Sequence, residues 1–266
     1  MIKDLLHIPI LVYHKVDPYF EWGVTRVYPF QFEMQMRYLK AKGWHTASQS
    51  QILSEDPLPP RTCLITFDDG YTSFKQYAFP ILQRYGLRAL VFVVTHFTGK
   101  RNTWDVTLGR KFYHLSWSEI NTLLSQGVEF GSHTLNHPNL TRIPLNKAQR
   151  EIEDSKKMLE DKIGKEVHFF SYPFGKHNRD IEKLVENAGY KAGFTLCPRR
   201  GWQNTLYAIP RANVYLIDTV WDIQTYLTRK PKLVYWLEIA KERFANLFAS
   251  GTFLLKGGWY EKTQYL

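Results

Sequence analysis

Two adjacent aspartates, Asp68 and Asp69, close the apolar run 63–67 and are followed by Gly70. Farther on, the stretch SHTLNHP places His133 and His137 four residues apart, with Pro138 directly after. Histidines at i and i+4 fall on one side of a single turn and can share a metal ion at about 2.0–2.1 Å per nitrogen. Thr134 stands where a zincin helix would carry its glutamate, and Pro138 limits how far a preceding helical turn could continue, so this is no zincin helix. Neighbouring carboxylates repel unless their roles differ. One of them with His133 and His137 makes a three-ligand site with open positions for water and substrate. The other is then left to move protons. Taken alone, Asp-Asp-Gly is a turn and the histidine pair a solvated loop; their co-occurrence is what points to chemistry. His14 ends the apolar run 10–13 and by itself marks a strand leaving for solvent. His45, His96, His114, His168 and His177 read as surface or core residues, with His96 set apart by its place at a strand end.

These side chains need elements that bring them to one place. Strands are expected at 9–13, 62–67, 88–95, 128–132, 167–172, 191–196 and 211–217, with a further one at 252–255. Helical periods separate them. Ser116 and Glu119 have capping-box spacing before a helix that ends at Gly127. Asn146 and Gln149 have the same spacing before the stripe Ala148, Ile152, Ser155, Leu159 and Ile163, stopped by Gly164. Asn178 precedes Ile181, Leu184, Val185 and Ala188, closed by Gly189. After the 62–67 strand, Thr72 or Ser73 is the expected cap, and Pro80 must kink that helix or start a new piece. Strand–helix alternation of this kind means a parallel sheet, open or closed into a barrel, with chemistry at the C-terminal strand ends.

The chain has 266 residues, 44% of them hydrophobic and 15% aromatic, which describes a folded globule able to bury most of its apolar surface. Its formal charge of +10 favours an anionic partner, a membrane face or an anionic glycan. The basic residues are dispersed and form no nucleic-acid motif, so no nucleic-acid partner is expected. Cys63 and Cys197 have no metal or disulfide spacing and read as buried thiols. The first residues make a poor signal peptide, and no apolar run reaches membrane-spanning length. A cytoplasmic location is expected, either free or peripheral to the inner membrane face. Residues 218–266 read as a helical extension packed on the barrel, with Asp218 capping a short helix and Pro231 opening another through about 249.

TFDDG followed by SHTLNHP resembles the polysaccharide deacetylases, carbohydrate esterase family four, over about residues 8–217. The resemblance implies an α/β fold, a distorted (β/α)7-type barrel with a C-terminal helical extension. It implies Asp68 as general base, and Asp69, His133 and His137 as ligands of one divalent ion, zinc being expected and cobalt or nickel alternatives. FFSYPFG (169–175) is similar to a third motif, which implies an oxyanion donor at the Phe174 N–H on a turn shaped by Pro173 and Gly175. The family's arginine that holds the base is replaced by Ser171, and Arg211 is the substitute this chain offers. The family's late acid histidine is also missing, because Lys256 occupies its place. YHKV at 13–16 is similar to the early Tyr-His motif of the deacetylases acting on poly-β-1,6-N-acetylglucosamine, which implies His14 as the acid. An ordinary histidine pKa near 6.5 would let it carry a proton at neutral pH.

Substrate contacts are expected at Tyr13, Trp104, Asp105, Tyr172 and Pro173, since aromatic faces stack on pyranose rings. The implied activity is removal of an N-acetyl group from an amino sugar in a polysaccharide, oligosaccharide or glycolipid. Alternatives are a carbohydrate-binding protein on the same fold without catalysis, and a deacylase or deformylase of a lipid-linked amino sugar.

Overall fold

The computed structural model describes residues 2–20, 25–104, 112–196 and 205–228. Asp105, Cys197 and everything after Thr228, including the expected helix from Pro231, the expected strand 252–255 and Lys256, lie outside the described residues.

The core is a parallel sheet of strands Ile10–Tyr13, Thr62–Phe67, Leu90–Val93, Glu129–Ser132, Phe169–Ser171 and Ala192–Thr195, each pairing with the next. Two short strands, Ile209–Pro210 and Ala212–Asn213, complete the ring around Arg211. The first pairs with Ala192–Thr195 and the second with Ile10–Tyr13, so the sheet comes round to meet its own beginning. This is the distorted (β/α) barrel, with helices on its outer surface. Strands buried on both faces need near-continuous apolar sequence. Thr62–Phe67 is buried at every position.

Side chains alternate across a strand with period two, and here the two faces have distinct destinations. Ile10, Leu64, Leu90, Phe92, Phe169, Ala192, Phe194 and Ile209 pack together inside the barrel. Leu11, Tyr13, Ile65, Phe67, Val91, Val93, Phe130, Phe170 and Tyr172 face the helices. Continuing the inward parity past the strand tips reaches residues 14, 68, 133, 171 and 211. The barrel therefore delivers five polar side chains to one end because each is an even number of residues from an inward position on its own strand.

Several element ends follow the expected caps. Ser116 Oγ accepts from Glu119 N–H, and Asn178 Oδ1 accepts from Ile181 N–H. Helix Leu145–Ile163 ends in a left-handed Gly164 but begins before Asn146, with Pro144 as its cap residue. Neither Thr72 nor Ser73 caps through its side chain: a π-helical turn, Phe74–Ala78, leads into helix Phe79–Tyr85, with Pro80 in its first turn. Pro80 lacks an N–H, which costs least in a first turn. Helix Val220–Leu227 is capped by Thr219 with Asp222 rather than by Asp218, whose carboxylate instead accepts from Tyr215 N–H at 2.8 Å. Among the described residues no helix is long and apolar enough to cross a membrane.

Candidate active site

Asp68 follows its strand directly, its N–H held by Tyr13 C=O at 2.9 Å. Arg211 Nη1 and Nη2 donate to the two carboxylate oxygens at 2.8 and 2.7 Å. The remaining guanidinium donors go to Thr66 Oγ1 at 3.1 Å, Ser171 Oγ at 2.8 Å and Thr195 C=O at 3.3 Å. A guanidinium has five N–H donors, and all are used here by groups on three other barrel strands or their tips. Ser171 Oγ donates in turn to Asp68 Oδ2 at 3.1 Å. Both charged partners are almost fully buried, Arg211 being 1% and Asp68 2% exposed. Burial alone pushes the Asp68 carboxyl up, but Arg211, aided by His133 and His14, overrides it and holds the group well below the usual carboxylate range. Asp68 is thus a fixed acceptor, ionised at neutral pH.

Asp69, His133 and His137 form a second cluster, all buried, their ligand atoms within 4.8 Å of one another. His133 Nδ1 lies 2.7 Å from Ser171 C=O. A carbonyl only accepts, so that nitrogen carries the proton and Nε2 presents a lone pair. Nε2 faces Asp69 Oδ1 at 3.6 Å, and His137 Nε2 faces the same oxygen at 3.4 Å. Burial lowers the His133 pKa, with the Asp68 charge opposing it. Two imidazole nitrogens converging on a carboxylate oxygen in a buried setting fit a divalent cation. Asp69, His133 and His137 are the residues that would hold one.

The backbone here is unusually constrained. Asp69, Thr134, His137 and Phe174 adopt φ of 69°, 69°, 61° and 58°. These are left-handed values that cost a non-glycine residue free energy and persist only where surroundings over-determine them. Gly70 is required for a further reason: at its φ of 62° a Cβ would sit 2.8 Å from Val93 Cγ1. Phe174, 48% exposed on the turn Pro173–Gly175, sets its ring edge-on to His137 at 4.6 Å. Its N–H donates to no group among the described residues. Trp104, half-buried, stacks on the His137 ring at 4.7 Å and 14°.

His14 sits at the tip of the strand paired with Thr62–Phe67, one step beyond the register pair Tyr13–Phe67. Its Nδ1 is buried without a hydrogen-bond partner. Burial lowers its pKa to about 4, Asp68 raising it and Arg211, Lys15 and His133 lowering it further. An ordinary pKa does not survive this burial, so the expectation of a histidine already charged at neutral pH is corrected.

Three expected substrate contacts are also corrected. Tyr13 and Tyr172 occupy outward parity positions, are 0% exposed, and commit their hydroxyls to Gln35 Oε1 at 2.9 Å and Tyr207 C=O at 2.7 Å. Pro173 is buried beneath its turn. His96, singled out at its strand end, is exposed and shares a 2.9 Å hydrogen bond with Asn136 Oδ1. Conversely, His114 looked unremarkable but is buried, stacked on Tyr71 at 4.9 Å, with Nδ1 donating to Asp69 C=O at 2.7 Å. It lies on a loop, where no periodicity marks direction.

The polysaccharide deacetylase family model matches residues 55–193. A Bacillus subtilis protein named for that family, YxkH, is 32% identical over 212 residues, covering 78% of this chain and 71% of its own length. The poly-β-1,6-N-acetyl-D-glucosamine N-deacetylase of Staphylococcus aureus MRSA252 is 27% identical, covering 68% of this chain and 65% of its own. Among solved structures, the Streptococcus pyogenes deacetylase PplD, in complex with acetate, aligns with TM-score 0.71 and 24% identity over 83% of this chain and 97% of its own. IcaB from Ammonifex degensii aligns with TM-score 0.66 and 21% identity over 87% and 97%. At those identities the structural matches speak for the fold.

Proposed function

The chain belongs to the polysaccharide deacetylase family, and from that premise we propose that it is a metal-dependent hydrolase removing an N-acetyl group from an amino sugar within a glycan. The observation that carries the reading is the meeting, at one barrel end, of the Arg211-clamped Asp68 and the Asp69–His133–His137 cluster. The relative named as a poly-β-1,6-N-acetyl-D-glucosamine N-deacetylase supports an N-acetylglucosamine polymer as the substrate to try first.

A divalent ion, zinc by the donor set, would supply polarisation of the amide carbonyl and acidification of water. The chain's own residues do the rest. Asp68, held ionised, accepts a proton from the attacking water; a carboxylate kept so acidic is a weak base toward ordinary water, which explains the need for acidification. The Phe174 N–H donates to the carbonyl oxygen as negative charge develops there. His14 delivers a proton to the departing nitrogen as the C–N bond breaks, leaving acetate and a free amine. With a pKa near 4 it does not begin the cycle charged at neutral pH. The proton Asp68 has taken from water is the one available to it, and the two residues stand at the tips of paired strands. Trp104 beside His137 offers an aromatic face to a sugar ring.

The test is direct. Chelator-stripped protein should take up one zinc ion per chain and release acetate from an acetylated glucosamine oligomer only when reloaded. His14→Ala should bind zinc like the parent yet lose about 10²–10⁴-fold in kcat. Full activity in that variant sinks the assignment of His14. Zinc uptake with glycan binding but no acetate release by the unmutated chain would instead support a binding protein on this fold.

A further inference from the structure

We propose that Glu151 is a positioning residue for the metal ligands, an inference that rests on the reading of Asp69, His133 and His137 as a metal centre. Glu151 stands on the long helix Leu145–Ile163, beside the buried Ile152, and none of its atoms belongs to the ligand set. Its carboxylate receives the loop that joins the two histidines. Oε2 accepts from Leu135 N–H at 3.0 Å and from Asn136 N–H at 2.9 Å, and Oε1 accepts from the Asn136 side-chain amide at 2.7 Å.

The opposite edge of that loop is tied elsewhere. Thr95 N–H donates to Thr134 C=O at 3.1 Å and His96 N–H to Leu135 C=O at 3.0 Å, while His137 N–H donates to Thr134 Oγ1 at 2.9 Å. The loop thus hangs between the segment after one barrel strand and a helix outside the barrel. Glu151 is the anchor on the helix side.

Such an anchor matters because Thr134 and His137, on either side of the two clamped amides, both hold left-handed φ. A β-branched residue in that region is strained. Two successive N–H groups aimed at one oxygen are what the turn presents, and an ionised acceptor is the strongest partner for them. Without it the loop can relax toward ordinary dihedrals, and the His137 ring would leave the point where its Nε2 faces Asp69. Packing against Trp104 and Phe174 restrains the ring's plane but does not fix the backbone that carries it.

The experiment compares zinc affinity of the chelator-stripped full chain, by competition with a chromophoric chelator, for the unmutated protein, Glu151→Gln and Glu153→Gln. Glu153 is exposed on the same helix and bonded to Gln149, so its variant removes the same charge without touching the loop. Glu151→Gln should weaken zinc binding about tenfold or more. Its kcat should return toward the parent value at saturating zinc, and its metal-free melting temperature should stay within a few degrees. Glu153→Gln should bind like the parent. If Glu151→Gln does not fold, Glu151→Asp, which keeps the charge and withdraws it by one methylene, should show weakened binding in the same assay. Zinc affinity within twofold of the parent in the folded variant overturns the inference, as does equal weakening by Glu153→Gln. An unmutated chain that takes up no zinc overturns the metal-centre reading together with this one.

Discussion

Replacing Arg211 with methionine is expected to cost about 3–5 kcal/mol of stability and to abolish hydrolysis in the same step. The guanidinium is buried, and every donor it has is spent on Asp68, Ser171, Thr66 and Thr195. Its removal leaves a buried carboxylate without its counter-charge. Methionine can refill the space between Phe92 and Phe194, over which the guanidinium now lies, so the loss reports charge more than volume. A thermal melt should fall by on the order of 10 °C.

The pH dependence should change as well. In the intact protein the depressed Asp68 carboxyl contributes stability at all pH above the ordinary carboxylate range, and that contribution is lost as pH falls through and below it. In Arg211→Met, burial acts with its main opponent gone, the carboxyl pKa rises, and stability from this group instead declines as pH climbs through the raised value. A variant that melts within about 2 °C of the parent, with unchanged acid sensitivity, would refute the role given to the pair.

The second large effect is expected from Asp68→Asn. The amide cannot take a proton from water, so kcat should drop about 10²–10⁴-fold. The Asp69–His133–His137 set is untouched, and one zinc ion per chain should remain in metal analysis. The assay is amine release from an acetylated β-1,6-glucosamine oligomer at saturating zinc. Activity within tenfold of the parent would remove Asp68 from the base position. Some loss of stability should accompany the change, because the asparagine NH₂ points one donor at a guanidinium that already holds only donors.

How much of this was readable beforehand depended on periodicity. The barrel strands announce themselves as buried runs, and the parity from Ile10 to His14 or from Phe169 to Ser171 carries direct information about which side chains meet inside. The same parity, applied strictly, places Tyr13 and Tyr172 outside; sequence proximity to the motifs does not make contact where alternation forbids it. Helix Pro29–Ala41 buries Phe32, Gln35, Met36 and Leu39, a face whose pattern is hard to read locally. Gln35 breaks the apolar stripe because its amide bridges the Tyr13 hydroxyl and Asp218 C=O, a tertiary requirement that no local pattern exposes. The two-residue strands Lys15–Val16, Arg26–Val27 and His45–Thr46 are too short to leave a period. His114 and Glu151 act through backbone groups of loops, where direction is set by the fold rather than by spacing. The pKa of His14 likewise depends on burial that a strand-end position does not reveal.

The ring closure carries a consequence for how the site is held together. The segment holding Arg211 and the strand ending in His14 are neighbours, with Leu11 opposite Ala212 and Val12 opposite Asn213, although about two hundred residues of chain separate them. Neighbouring strands lie about 4.8 Å apart. A closed ring has a seam but no first member, so groups far apart in sequence, Arg211 and His14, share one wall of the site. Loosening that seam would part the Arg211 clamp from the His14 strand without altering either side chain.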